Sequence, residues 1–219
     1  MNSNMIVFGD LHSQPETLKS ILGHAEENNI NVALNLGDES HLYGSEWELK
    51  EVYRLLKQWR DASSERRLIC VAGWATRDVI PQLRKNYVGM NKKGEVNGKS
   101  IFKEGNVLAA HEGKDILEEY GNFIRKYHDQ EPLMIFHGHL HSMSVCGEYR
   151  WLNDNEKVRF IKEGEKHWKL KDRTVYWVSS GKASWPGNTE YGGGPTEVVN
   201  FALYYPKDRK LTLNSVFPS

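Results

Sequence analysis

Along the first 140 residues, short apolar runs alternate with stretches whose apolar side chains recur every three or four positions. The runs at 5–8, 32–36, 68–72, 107–110 and 134–136 are nearly uninterrupted, the pattern of strands buried on both faces. Between them, Leu18, Ile21, Leu22 and Ala25 share one helical face, and so do Leu49, Val52, Tyr53 and Leu56. Ile116, Leu117, Tyr120, Phe123, Ile124 and Tyr127 mark a third such face. Ser13 with Glu16 and Ser45 with Glu48 predict capping boxes at the starts of the first two helices. A short helical stretch is expected from about 79 to 86, and the Gly-, Asn- and Lys-rich residues 89–105 read as a loop or exposed hairpin. Strand alternating with helix, with polar residues at the strand ends, predicts an open α/β sheet whose ligands gather at the carboxyl ends of its strands.

Beyond Ser142 the texture changes. Residues 144–151, 158–162, 175–179, 198–205 and 211–216 read as strands, predicting a mostly antiparallel sheet packed on the first. The Gly-rich segment 181–195 is where a lid or binding loop is expected.

A chain of 219 residues is read as one domain, 1–219, with an ample core. Its 29 basic and 29 acidic residues cancel, so no global charge favours nucleic acid or a membrane surface. Cys70 and Cys146 both sit in apolar, strand-like surroundings, which predicts reduced buried thiols and a cytoplasmic protein. No basic n-region precedes the first apolar run, and no segment is long enough to span a bilayer.

The strand ends carry the chemistry. They present Asp10 with His12, Asp38, the Gly73 loop, His111, and His139 with His141. A single Gly-Asp after a strand is ordinarily a turn or cap, and a single histidine is ordinarily structural. Their recurrence after successive buried strands is not explained by turn chemistry. Asp10, His12, Asp38 and His141 offer two carboxylates and two imidazoles, a donor set suited to Mn, Fe, Zn or Ni. Asp38, His111 and His139 form a second set sharing one carboxylate. A shared aspartate would hold two cations about 3.5–4 Å apart, the spacing used for in-line phosphoryl displacement.

The order Asp10-Leu11-His12, Gly37-Asp38, His111 and Gly138-His139-Leu140-His141 resembles the signature of the calcineurin-like metallophosphoesterases. The resemblance covers residues 5 to 142 and continues more weakly through Val178-Ser179-Ser180-Gly181, similar to a turn in the small bacterial phosphodiesterases of that family. It implies a four-layer α/β/β/α sandwich and two divalent metal ions, Mn favoured. Asp10, His12 and His141 would hold the first ion, His111 and His139 the second, and Asp38 would bridge them. A metal-bound hydroxide would attack phosphorus in a small phosphorylated substrate, with nucleotides among the candidates.

One motif departs from the family. Where it has Gly-Asn-His, this chain has Gly73-Trp74-Ala75, followed by Thr76, Arg77 and Asp78. An indole N–H is a donor only, so Trp74 cannot replace the asparagine ligand. The second metal site is therefore expected to be the weaker. Ala75 cannot replace the histidine, and losing general-acid help costs about 10²–10⁴-fold in rate. His41, three residues after Asp38, is the candidate acid. His137 is expected to buttress or pack rather than bind metal, and Glu112 to support a ligand. The departure also admits a second reading, a catalytically impaired scaffold of this fold that binds a protein partner. Six of seven ligand positions are kept, which a scaffold does not need. A nuclease acting on long nucleic acid is disfavoured by the absence of a basic stripe.

Overall fold

A computed structural model of the protein describes residues 3–40, 45–76, 79–95, 100–127, 129–139, 143–146, 166–181, 183 and 199–216. The apolar runs become β1 (Met5–Phe8), β2 (Val32–Asn35), β3 (Arg67–Val71), β6 (Val107–Ala110) and β7 (Leu133–His137). The periodic stretches become α1 (Pro15–Glu27), α2 (Glu46–Asp61) and α3 (Gly113–Arg125). A 3₁₀ turn at Pro81–Asn86 leads into β4 (Tyr87–Val88), and β5 (Ile101–Glu104) forms a hairpin with β6. The later strands are β8 (Met143–Cys146), β9 (Lys166–Lys169), β10 (Val175–Ser180), β11 (Val199–Tyr205) and β12 (Lys210–Val216).

Among the described residues these strands form two sheets, ordered β4-β3-β2-β1-β11-β12-β9 and β5-β6-β7-β10-β8. Alternate side chains of a strand enter different cores because successive Cβ atoms point to opposite faces. On β1, Ile6 and Phe8 pack with Leu18 and Ile21 of α1 and Leu49, Val52 and Tyr53 of α2. Met5 and Val7 pack instead with Met134, Phe136 and Val178 of the other sheet. On that sheet, Leu108, Leu133 and Ile135 turn outward onto Ile116 and Ile124 of α3. The result is the expected four-layer α/β/β/α sandwich.

Two expectations are corrected. The second half does not make a sheet of its own. β11, β12 and β9 extend the first sheet, while β10 and β8 join β7 in the second. Local alternation reveals a strand but not its neighbour, and β1 takes β11 as its antiparallel partner across most of the sequence. The short strand β9, pairing with β12, went unanticipated. Ser13 does not cap α1: Gln14 precedes the helix without a side-chain cap bond, and Pro15 opens it. Ser13 has left-handed backbone, φ 61°, with its N–H donating to the Glu39 carbonyl at 2.7 Å, so it lacks the extended conformation that an N-cap takes. The box at Ser45 and Glu48 does form in both directions. The strand expected at 158–162 and most of the 181–195 loop lie outside the described residues. No helix among the described residues is long and apolar enough to cross a membrane.

Because the Ser45 cap is reciprocal, Ser45→Ala should cost about 0.5–2 kcal/mol. Urea unfolding that shows no change for this variant would contradict the assigned start of α2.

Candidate metal centre

β1 and β2 run parallel in register, Phe8 opposite Asn35, and their hydrogen bonding continues after both strands end. Leu36 N–H donates to the Phe8 carbonyl (2.7 Å), Asp10 N–H to Gly37 (2.9 Å), His12 N–H to Asp38 (3.0 Å) and Ser13 N–H to Glu39 (2.7 Å). The two loops are thereby zipped side by side, which sets Asp10 and Asp38 next to each other. Asp10, His12 and Asp38 have φ of 55°, 45° and 55°. Such backbone costs of order 1–3 kcal/mol per residue and persists only where surroundings enforce it. Here the inter-loop ladder enforces it.

The result is a buried donor cluster. Asp10, His12 and Asp38 each offer an atom, all within 4.8 Å of one another. Asp10 is fully buried, and His12 and Asp38 nearly so. From the second sheet, His111 follows β6 and places Nε2 3.2 Å from Asp38 Oδ2. Its Nδ1 lies 2.8 Å from the Leu36 carbonyl, an acceptor only, so Nδ1 carries the proton and donates. Burial pushes the His111 imidazole down, but the Asp38 carboxylate, with Asp10 and the Leu36 carbonyl, outweighs it and lifts the pKa to about 9. Burial likewise raises the Asp38 carboxyl, and His111, the Ala75 N–H and His12 reverse this, holding it below the usual carboxylate range. His139, after β7, donates its backbone N–H to Asp10 Oδ2 at 3.1 Å. Its exposed ring sits edge-on to His111, centroids 5.4 Å apart. Gly138 permits this approach, since a Cβ there would lie 3.0 Å from Asp10 Oδ2.

The Gly73–Thr76 turn lies against Asp38. Ala75 N–H donates to Asp38 Oδ1 at 2.7 Å, and a Cβ on Gly73 would overlap that same oxygen. Trp74 is mostly exposed; its indole stacks near the His139 ring and donates to Glu112, which also pairs with Lys114 at 2.6 Å. His137 is buried against Trp177, and burial lowers its pKa to about 4, so it packs as a neutral ring. A cleft of about 230 Å³ opens beside His139, lined by Gly113, Leu117, His137 and Trp177 with Glu112 and Lys114 at its polar edge.

No family model and no curated protein matches the sequence. Solved structures do match. A metallophosphoesterase from Sphaerobacter thermophilus aligns over 99% of this chain and 89% of its own, with a TM-score of 0.65 and 16% identity. An archaeal phosphodiesterase aligns over 97% and 99%, with a TM-score of 0.50 and 12% identity. The chain has the metallophosphoesterase fold.

In this metallophosphoesterase fold the described residues bring Asp10, His12, Asp38 and His111 together, with His139 beside them. His41 and His141, like Arg77 and Asp78, lie outside the described residues. The donors fit a divalent cation: two carboxylates and two imidazoles converge in a buried cluster, with His111 Nε2 turned onto the Asp38 carboxylate. Inspection of the sequence missed Glu39. Its carboxyl is completely buried and accepts from Asn35 Nδ2 (2.6 Å), Tyr87 Oη (2.8 Å) and Thr76 Oγ1 (2.5 Å). Burial raises its pKa despite those donors. Its only local signal is a second acid directly after Asp38.

Gly73→Ala forces a methyl group onto Asp38 and should weaken Mn²⁺ binding about 10–100-fold, measured by calorimetric titration. Unchanged affinity would show that Asp38 does not need this close contact.

Proposed function

We propose that this protein is a metal-dependent phosphoesterase acting on phosphodiesters or activated phosphomonoesters. The observation that carries the reading is the buried Asp10, His12 and Asp38 cluster at the carboxyl ends of adjacent parallel strands. In this reading Asp10, His12 and His141 would hold one divalent ion and His111 and His139 a second, with Asp38 a ligand available to both. Manganese is the favoured metal. When bound, the ions supply positive charge that offsets the phosphoryl oxygens and lowers the pKa of water. That two similarly folded proteins are a metallophosphoesterase and a phosphodiesterase supports the assignment.

The chain's own residues divide the remaining work. The Leu36 carbonyl fixes the His111 tautomer, so Nε2 is the atom offered inward. The His139 amide orients Asp10, and the Ala75 amide orients Asp38. With Ala75 at the histidine position of the family's Gly-Asn-His motif, help for the leaving group falls to His41. A leaving group of low pKa needs little such help, so aryl phosphodiesters are the best probes. The cleft beside His139 offers room and apolar surface for one ester group of a small substrate, a nucleotide among the candidates.

Mn²⁺ should stimulate hydrolysis of bis(p-nitrophenyl) phosphate, chelation should abolish it, and Asp38→Asn or His139→Ala should reduce it to background. Full activity in both variants would exclude this site. His41→Ala should cost about 10²–10⁴-fold on an alkyl phosphodiester and far less on the aryl one. Equal losses on both would remove His41 from the role of acid.

A further inference from the structure

Glu39 follows Asp38 directly, yet its side chain turns away from the donor cluster into the protein. It carries an ionisable group at zero exposure, and no cation among the described residues pairs with it. Burying such a group is costly unless hydrogen bonds replace water. Three donors do so, from three elements: Asn35 at the end of β2, Tyr87 on β4 and Thr76 in the turn that covers Asp38.

The Thr76 contact has a fixed direction. Thr76 has one hydroxyl proton and gives it to Glu39 Oε2, so its oxygen is left to accept, and it accepts the Gly73 N–H at 2.9 Å. Thr76 N–H also closes on the Gly73 carbonyl at 3.3 Å. The turn so held delivers Ala75 N–H to Asp38 Oδ1, while the Ala75 carbonyl accepts from the Ser40 hydroxyl and from Ser40 N–H. With Oδ1 engaged by Ala75, Oδ2 is the oxygen presented to His111.

We propose that Glu39 is a positioning residue for the metal centre, acting through Thr76 and the Ala75 amide to fix the rotamer of Asp38. The inference rests on the metal-dependent reading above. It explains how a turn lacking the asparagine and histidine of the family's Gly-Asn-His motif still serves the site: its backbone, held by Glu39, orients a ligand that its side chains do not supply. Two features distinguish this from simple core filling. The chain Gly73 N–H to Thr76 to Glu39 runs in one direction, and it starts from a turn whose outer side is exposed at Trp74.

The test is calorimetric titration of Mn²⁺ alone into wild type, Thr76→Val, Thr76→Ser and Glu39→Gln, with the melting temperature of each metal-free protein. Thr76→Val removes the bridging hydroxyl from a half-buried position. It should weaken Mn²⁺ about 10–100-fold and lower the metal-free melting temperature, because a buried carboxyl loses one of its three donors. Thr76→Ser should return affinity to near wild type. Glu39→Gln presents an N–H where Thr76 needs an acceptor, and should weaken Mn²⁺ as Thr76→Val does. If Glu39→Gln does not fold, the Thr76 pair still decides. Wild-type affinity in Thr76→Val, or loss of melting temperature without loss of affinity, overturns the proposal and leaves the metal reading standing. A wild type that binds no Mn²⁺ overturns both.

Discussion

Strands β1 and β2 go on sharing backbone hydrogen bonds after both have ceased to be strands, from Leu36 and Phe8 to Ser13 and Glu39. Everything at the candidate centre depends on that continuation. Polar loops ordinarily diverge at the end of a parallel sheet and satisfy their amides with water or helix caps. Here four successive inter-loop contacts hold them together, so Asp10 and Asp38 emerge side by side and buried. Left-handed backbone at Asp10, His12, Ser13 and Asp38 accompanies this arrangement. Its cost, of order 1–3 kcal/mol per residue, falls on a centre that the surrounding four layers are large enough to sustain.

The second sheet is fastened to the same place by few contacts. His111 Nδ1 donates to the Leu36 carbonyl and Ala183 N–H to the Gly9 carbonyl, while Gly138 N–H ties the ends of β7 and β6 within the second sheet by donating to the His111 carbonyl. Each joins the end of one strand to the end of a neighbour, so donors from both sheets meet where the sandwich layers open. The two glycines that matter most do so by absence. A side chain on Gly73 would strike Asp38, and one on Gly138 would crowd Asp10 and His111. At the Trp74-Ala75 turn it is backbone that packs onto the Asp38 carboxylate.

Much of this was legible in the sequence because it is encoded locally. Continuous apolar runs became strands with one side chain in each core, and the Ser45–Glu48 pair became a reciprocal cap. The gathering of Asp10, His12, Asp38 and His111 was legible because Gly-Asp and histidines recur at the ends of successive strands. What was not legible depends on distant partners. The sheet membership of β11 and β12 is decided by β11 pairing with β1 and β12 with β11, which no local pattern states. Ser13 resembles a cap until its neighbours are engaged by another loop. Glu39 reads as part of a polar turn, since the residues that make its burial tolerable, Thr76 and Tyr87, are 37 and 48 positions away.

The most direct measurement is the anomalous X-ray scattering of Mn²⁺ in crystals of the protein grown or soaked with the metal. A peak in contact with both Asp10 and Asp38 is the predicted result, because the inter-loop ladder holds these two carboxylates ready for a shared cation. A fully ordered centre with no peak there, or a peak bound elsewhere on the surface, would contradict the account.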